Sequence, residues 1–435
     1  MTDWQIIDLT IQPRSPLHLG NESAIGNFLG SDQAISGGTL RGVVAGRLLE
    51  DCALPEYKDN HAQCPNKDKC PFWQVYGSDV EPQFSFAYPT RGGVAYPFPL
   101  TARECKLESG FETEEGHGVY DTLVDQFVYG LISDPRYPYR ADLQEKLGTN
   151  WATLRDPLAD TCPICGKGLA VPDGVYGLTN NSPTAAGKLS KRRTTQVGIN
   201  RARGVAEDSL LFTTETVESG AEAIRFSGQV VAPAACSELL LDQLQGDFYV
   251  GSGRSRGLGH TTFRATAQPE QDDLADRIRD RIRDFERAVQ TTLQPYQQAD
   301  SRVESKMDEV LFTLTLRSPA IFESVTQSSL MPTPEVIGLP QAKLVQAWAR
   351  KDRVTGWDSA AKLPRRTQLA AQAGSVYLFW LPKASWEDDS WLAALTKLEI
   401  TGIGDERQRG YGQVTVCAPF HRQNRLGDQP SPAVS

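Results

Sequence analysis

Two stretches of the chain open and close in the same way, and that duplication limits the folds open to it. The first opens on an alternating strand, Trp4–Pro13, that runs into Arg14-Ser15-Pro16. It closes on Gly251-Ser252-Gly253-Arg254-Ser255-Arg256-Gly257-Leu258-Gly259 and a short strand. The second opens on Val310–Leu316, again alternating, and runs into Arg317-Ser318-Pro319. It closes on Gly402-Ile403-Gly404-Asp405-Glu406-Arg407-Gln408-Arg409-Gly410-Tyr411-Gly412 and another strand. Glycine permits positive φ and close approach to a ligand. Successive N–H groups in such a loop can line an anion site, and arginines add planar phosphate donors. The pattern predicts two related domains built to hold a phosphate-bearing polymer.

The second unit has the size of one small α+β domain. The first is longer, with its excess between Pro55 and Thr194. The expected organisation is an N-terminal domain over 1–268 with an insertion at about 55–194, and a helical linker over 269–305. A C-terminal domain over 306–421 and a disordered tail over 422–435 complete it. The helix rests on Leu274, Ile278, Ile282, Phe285, Val289 and Leu293, one apolar stripe that should pack on its own domain. A second helix should follow Gly37-Gly38, with Thr39 as its cap.

With 435 residues the chain exceeds one ordinary core. No apolar run reaches the ~18 residues of a membrane span, and the first residues lack a signal-peptide pattern. The expectation is a cytoplasmic protein with no membrane partner. A net charge of −9 argues against nucleic-acid binding over the whole surface. The charge is uneven, however. No acid lies between Asp173 and Glu207, where Lys188, Lys191, Arg192, Arg193, Arg201 and Arg203 occur. The stretch between Asp247 and Glu270 is likewise acid-free and holds Arg254, Arg256 and Arg264. Two such segments in an acidic protein form a local electrostatic footprint.

Cys162-Pro163-Ile164-Cys165-Gly166 reads as a zinc knuckle that needs a second pair of ligands. Cys64 and Cys70, each followed by proline, are the expected partners, with His61 or Cys105 as substitutes. A redox pair or unligated thiols are the alternatives. Cys52, Cys236 and Cys417 read as core residues. No nucleophile elbow, Walker loop or zincin motif is present. His18 could serve as a general base, but a satisfied histidine at a strand end is the favoured reading. Asp32 is a candidate catalytic acid standing alone.

Ser15–Gly20 with Gly38–Gly42, Gly198–Glu215 and the two glycine loops together resemble the RAMP superfamily of CRISPR-associated proteins. Asn200 stands where that family carries an acid. Gly356-Trp357, Leu363-Pro364-Arg365, Gly374–Phe379 and Gly402–Val416 are most similar to its subtype III-D Csx-type, Cas five-like group. The resemblance implies two ferredoxin-like (RNA-recognition-motif) domains in tandem, the first carrying the zinc-stapled insertion. It implies a non-catalytic subunit of a type III effector complex in antiviral defence, gripping the 5′ repeat-derived handle of the CRISPR RNA (crRNA). Implied neighbours are the backbone RAMP subunits, the large polymerase/cyclase-like subunit and, nearby, target RNA.

The RNA contacts expected on this reading are Arg41, Lys188, Lys191, Arg192, Arg193, Asn200, Arg201 and Arg203, then Gly251, Gly253, Arg254, Arg256, Gly257, Gly259 and His260, and finally Arg407 and Arg409. The first loop, free of acids, should be the better clamp. The second carries Asp405 and Glu406 and should pack against a protein neighbour or its own domain. The competing readings are a target-RNA endoribonuclease acting through Asp32, a crRNA-processing RNase acting through His18, and a zinc-stapled adaptor that never touches RNA.

Overall fold

A computed structural model describes residues 4–20, 27–50, 52–58, 60–133, 161–179, 182–187, 189–200, 203, 205–218, 224–269, 273–299, 309–323, 328–358, 363–383 and 389–429. The fold is α+β. Trp4–Pro13 lies inside an antiparallel sheet, between His260–Ala267 on one side and Arg225–Pro233 on the other. Gly246–Tyr249 extends the sheet beyond His260–Ala267, and Gln83–Phe84 and Tyr88–Thr90 extend it beyond Arg225–Pro233. The alternation of the first strand sends Ile7, Leu9 and Ile11 into the core. There they meet helix Gly37–Glu50 through Leu40, Val44 and Leu48, and helix Ala234–Gln243 through Leu240. The first helix starts earlier than expected. Ser36, not Thr39, caps it, its hydroxyl accepting from the Thr39 N–H at 3.2 Å.

The second sheet repeats the plan. Its order is Lys343–Trp348, Val376–Pro382, Glu309–Leu316, Val414–Val416, all antiparallel, with helix Ser390–Thr401 packed on it. The segment expected as a linker is part of this second unit. Helix Leu274–Ala299 buries all six residues of its stripe in the core of that sheet. Arg281 fixes it to the neighbouring helix through two bonds of 2.8 Å to the Glu399 carboxylate, which also accepts the Val416 N–H.

One set of backbone bonds occurs in both units. The Gly259 N–H donates to the Pro16 carbonyl at 2.9 Å, and the Gly412 N–H to that of Pro319 at 2.8 Å. The next residue's N–H, His260 or Gln413, donates to the Ser15 or Ser318 hydroxyl at 2.9 Å. The Ser252 and Asp405 N–H groups donate to the carbonyls of His18 and Ile321, both at 3.0 Å. A side chain at Gly251 or at Gly404 would press on that same carbonyl, and both glycines have positive φ, 82° and 74°. Each Arg-Ser-Pro corner is thus clasped by its own loop.

The excess of the first unit is not one insertion. Gln83–Phe84 and Tyr88–Thr90 return to the first sheet, so one excursion precedes them and a longer one follows. The longer one docks on the second unit. Helix Leu123–Ser133 packs on Leu274–Ala299, and Trp348 donates to Gln126 at 2.6 Å. The segment after Pro419, expected as disordered from residue 422, is packed as far as Gln429. Phe420, His421, Arg425 and Leu426 are buried. His421 bridges Thr315 at 2.7 Å and Asp121 at 3.1 Å. Arg425 pairs with Asp125 at 2.7 Å, and Asp125 also accepts the Gly427 N–H. Burial raises the Asp125 pKa against the pull of Arg425, so desolvation offsets part of the attraction. Among the described residues, removing Asp125 leaves the buried Arg425 with only the exposed Asp428 carboxylate, 3.6 Å away. Asp125→Ala is therefore expected to lower unfolding stability by about 3 kcal/mol in a denaturant titration. An unchanged midpoint would show that Arg425 reaches water.

Candidate functional site

The two Gly/Arg loops have the same backbone and opposite surroundings. In the second, the short turn Arg407–Arg409 carries Gly410 against the Phe84 carbonyl, where no side chain would fit. Arg409 lies over Gly37 and Gly38 at the start of the first unit's helix and pairs with Glu406 at 3.3 Å. Tyr411 meets Phe86 edge-on at 5.4 Å. This loop joins the two units, where its acids pointed to a protein neighbour or its own domain, while Arg407 stays exposed. In the first loop the turn Arg254–Arg256 is exposed on both arginines. Arg254 lies 4.3 Å over the Tyr249 ring, and Arg256 donates to Gln196 at 3.1 Å. Tyr249 stacks in turn on His260 at 5.5 Å.

A cleft of about 2550 Å³ opens between the units. Its cations are Arg41, Arg47, Lys58 and Arg254 from the first unit and Lys351, Arg353, Arg365 and Arg409 from the second. Its carboxylates are Asp32, Glu50, Asp247 and Asp352, so positive charge prevails. Gly251 is on its rim, and Thr39, Tyr249 and Tyr411 supply polar and aromatic surface. Arg47, Lys351, Arg353 and Arg365 were not among the expected contacts. Lys58 was not among them either. Arg47 and Lys58 stand apart from other cations, whereas Arg350-Lys351-Asp352-Arg353 and Arg365-Arg366 are short basic clusters that the reading of the sequence passed over.

Several expected contacts are already engaged. Arg41 pairs with Glu81 at 2.8 Å and stacks on Tyr76 at 4.7 Å. Lys191 and Arg193 sit on the buried Glu215 carboxylate at 2.8 and 3.1 Å. Lys191 first, then Arg193, holds the Glu215 pKa below its ordinary value. These two cations anchor the hairpin of Ser190–Asn200 and Val205–Glu218, rather than standing free for a polyanion. Arg192 reaches Glu218 at 3.6 Å and is largely exposed, as is Arg203. Lys188, Arg201 and the Asn200 side chain lie outside the described residues. His18 is buried, its Nδ1 2.8 Å from the Glu215 carbonyl, so it is the satisfied histidine and not a presented base. Asp32 is exposed on the cleft.

The cysteine expectation is corrected in half. Cys162 and Cys165 do form a knuckle, closed by the Gly166 N–H to the Cys162 carbonyl at 2.9 Å. Their companions are Cys105 and His117, not Cys64 and Cys70. Strand Ala102–Cys105 pairs with Leu169–Ala170, just after the knuckle, and this carries Cys105 to it. The Cys105 and Cys165 sulfurs are 3.6 Å apart, and the Cys162 sulfur is 3.6 Å from His117 Nδ1. All four ligand atoms lie within 4.8 Å of one another. Tetrahedral ligands at ~2.3 Å from a zinc ion stand about 3.8 Å apart, so this donor set fits such an ion. Burial disfavours the Cys105 thiolate. Donors from Glu108, Leu107, His117 and Cys165 outweigh it and bring the pKa down to about 7, which suits a metal ligand.

Residues 285–418, which take in most of the long helix, the second sheet and the second Gly/Arg loop, match the family model described as CRISPR-associated protein (Cas_Cmr3). No curated protein matches the sequence. Among solved structures, the chain is similar to one in a type III-B Cmr-beta complex bound to cognate target RNA. The identity is 9%, coverage is 94% of this chain and 96% of that one, and the TM-score is 0.42. A chain of the same complex with target RNA and AMPPnP gives 10% identity, 85% and 86% coverage and a TM-score of 0.39. A Cas6 product complex gives 16% identity, 45% and 79% coverage and a TM-score of 0.27.

Two outcomes are expected here. Cys105→Ser with Cys162→Ser should lower the bound transition metal by about one equivalent per chain in elemental analysis. Loss of none would empty this centre of meaning. Because the folded Glu215 pKa is depressed, its stabilising contribution is present at neutral pH and is lost as pH falls through that folded value. Limited proteolysis should therefore release the 190–218 hairpin earlier in acid, and in Glu215→Gln at neutral pH.

Proposed function

We propose that this chain is a non-catalytic subunit of a type III CRISPR–Cas effector complex, and that it holds the 5′ handle of the crRNA in the cleft between its units. The carrying observation is the match of residues 285–418 to a CRISPR-associated family, joined to a basic cleft with an exposed arginine loop on its rim. The strand orders support two ferredoxin-like domains. In each sheet the first strand of the unit lies between the third and the strand that follows the glycine loop, with the second beside the third, as in a β-α-β-β-α-β chain. In the first unit Gly246–Tyr249, before the loop, adds a further edge strand. In the second unit a run of turns at residues 334–338 stands where the first helix would be. On this reading the Arg254 and Arg256 side chains take phosphates, while the loop N–H groups of Ser252, Arg256, Gly257, Leu258 and Gly259 hold the loop itself, and Tyr249 with His260 offers a surface for a base.

The subtype III-D Csx-type assignment rests on the sequence resemblance alone. Contacts with the backbone RAMP subunits and the large subunit, target RNA nearby and a cytoplasmic setting belong to the same proposal. The Cys105–His117–Cys162–Cys165 centre would hold a structural zinc ion that braces the excursion.

The test is binding of handle RNA by the full chain across a salt series. Each lost phosphate contact on a single strand lowers the salt slope by about 0.7. Arg254→Ala with Arg256→Ala should weaken binding about tenfold and reduce that slope. Unchanged affinity at matched salt would remove the loop from RNA binding. In the assembled complex, Asp32→Ala should leave target cleavage intact, whereas its loss would favour the endoribonuclease reading.

A further inference from the structure

The excursion between the first helix and the first sheet contains a second set of soft ligands. Three one-turn helices, Pro55–Tyr57, His61–Gln63 and Lys67–Lys69, follow one another there. Such turns leave few backbone bonds to share, so a loop of this kind needs something inside it. Among the described residues from 53 to 70, the only buried side chains are His61, Cys64 and Cys70. No leucine, isoleucine, valine or phenylalanine is buried with them in that stretch. A small hydrophobic core would show the reverse composition.

Two of the ligand atoms already meet. Cys64 and Cys70 each end a turn in extended backbone, Cys64 at φ −66° and Cys70 at φ −85°. Cys52, just beyond the first helix, places its sulfur 3.9 Å from His61 Nε2. That is the only hydrogen-bonding contact of the buried imidazole ring among the described residues. A buried imidazole without a strong partner is costly unless something else binds it. The ring packs on Phe72 at 4.5 Å, which holds its orientation. The three cysteines are free thiols. Only the Cys105 centre, among the described residues, has three or more such ligand atoms within 4.8 Å of one another. Here an ion would have to draw the turns together.

We propose that Cys52, His61, Cys64 and Cys70 form a second structural zinc site, separate from the first. Three thiolates and one imidazole are a donor set that zinc takes. The site would fix the loop that supplies Lys58, Asn60, His61 and Ala62 to the cleft wall. It stands whether or not the cleft binds RNA.

The test is elemental analysis of the full chain purified with a thiol reductant and without chelator, with thiol alkylation followed by mass spectrometry. About two zinc equivalents per chain are expected, falling to about one in Cys64→Ser with Cys70→Ser and to about one in Cys162→Ser with Cys165→Ser. In the unaltered protein, which needs no variant to fold, a chelator should speed alkylation of Cys64 and Cys70. One equivalent in the unaltered protein, lost only with Cys162 and Cys165, would overturn the proposal. So would alkylation of Cys64 and Cys70 at the same rate with and without chelator, or their recovery as a disulfide.

Discussion

The clasp between each Arg-Ser-Pro corner and its glycine loop is the constraint on which the rest of the molecule depends. It is made almost wholly of peptide groups, so it demands particular backbone angles more than particular side chains. Glycine meets that demand at most positions, yet Glu406 does so in the second loop with φ 56°. Because the clasp joins the end of the first strand to the start of the last, it closes each sheet and sets where the arginine turn projects. The same device then serves two ends. With an acid beside it, the second turn neutralises Arg409 and packs against the other unit. Without one, the first turn leaves its charges in water.

The two units are held together by more than that loop. The long excursion leaves the first sheet and packs on the core of the second. Its Asp121 and Asp125 meet His421 and Arg425 from the chain's last described segment. Buried polar networks of this kind add little net stability over apolar packing, but they penalise any other arrangement of the partners. The cleft between the units therefore has walls with a defined relation, and its positive lining is assembled from segments far apart in the chain.

Much of the fold was legible in the residues. Alternation marked Trp4–Pro13 and the strand before Arg317, and the spacing of Leu274 to Leu293 marked a buried helical face. Those signals are local, because strand and helix periods act over a few neighbours. The errors came where partnership is set at long range. Lys191 and Arg193 look like phosphate donors in a segment without acids, yet Glu215 reaches them across the hairpin. Cys64 and Cys70 look like the knuckle's partners by spacing, whereas strand pairing brings Cys105 there. The segment after residue 422 looks like a polar tail, but Arg425 and Leu426 are buried against the excursion.

By itself, then, the sequence determined the repeated unit, its strand starts, its glycine loops, the amphipathic helix and the presence of a cysteine knuckle. Each is written in neighbouring residues and enforced by backbone geometry. Only the tertiary structure decided which arginines face the cleft, which are neutralised, and which cysteine and histidine join the knuckle in a cluster that could hold a metal. Those outcomes depend on side chains from distant segments meeting at a few ångströms, and no period or spacing along the chain encodes that distance.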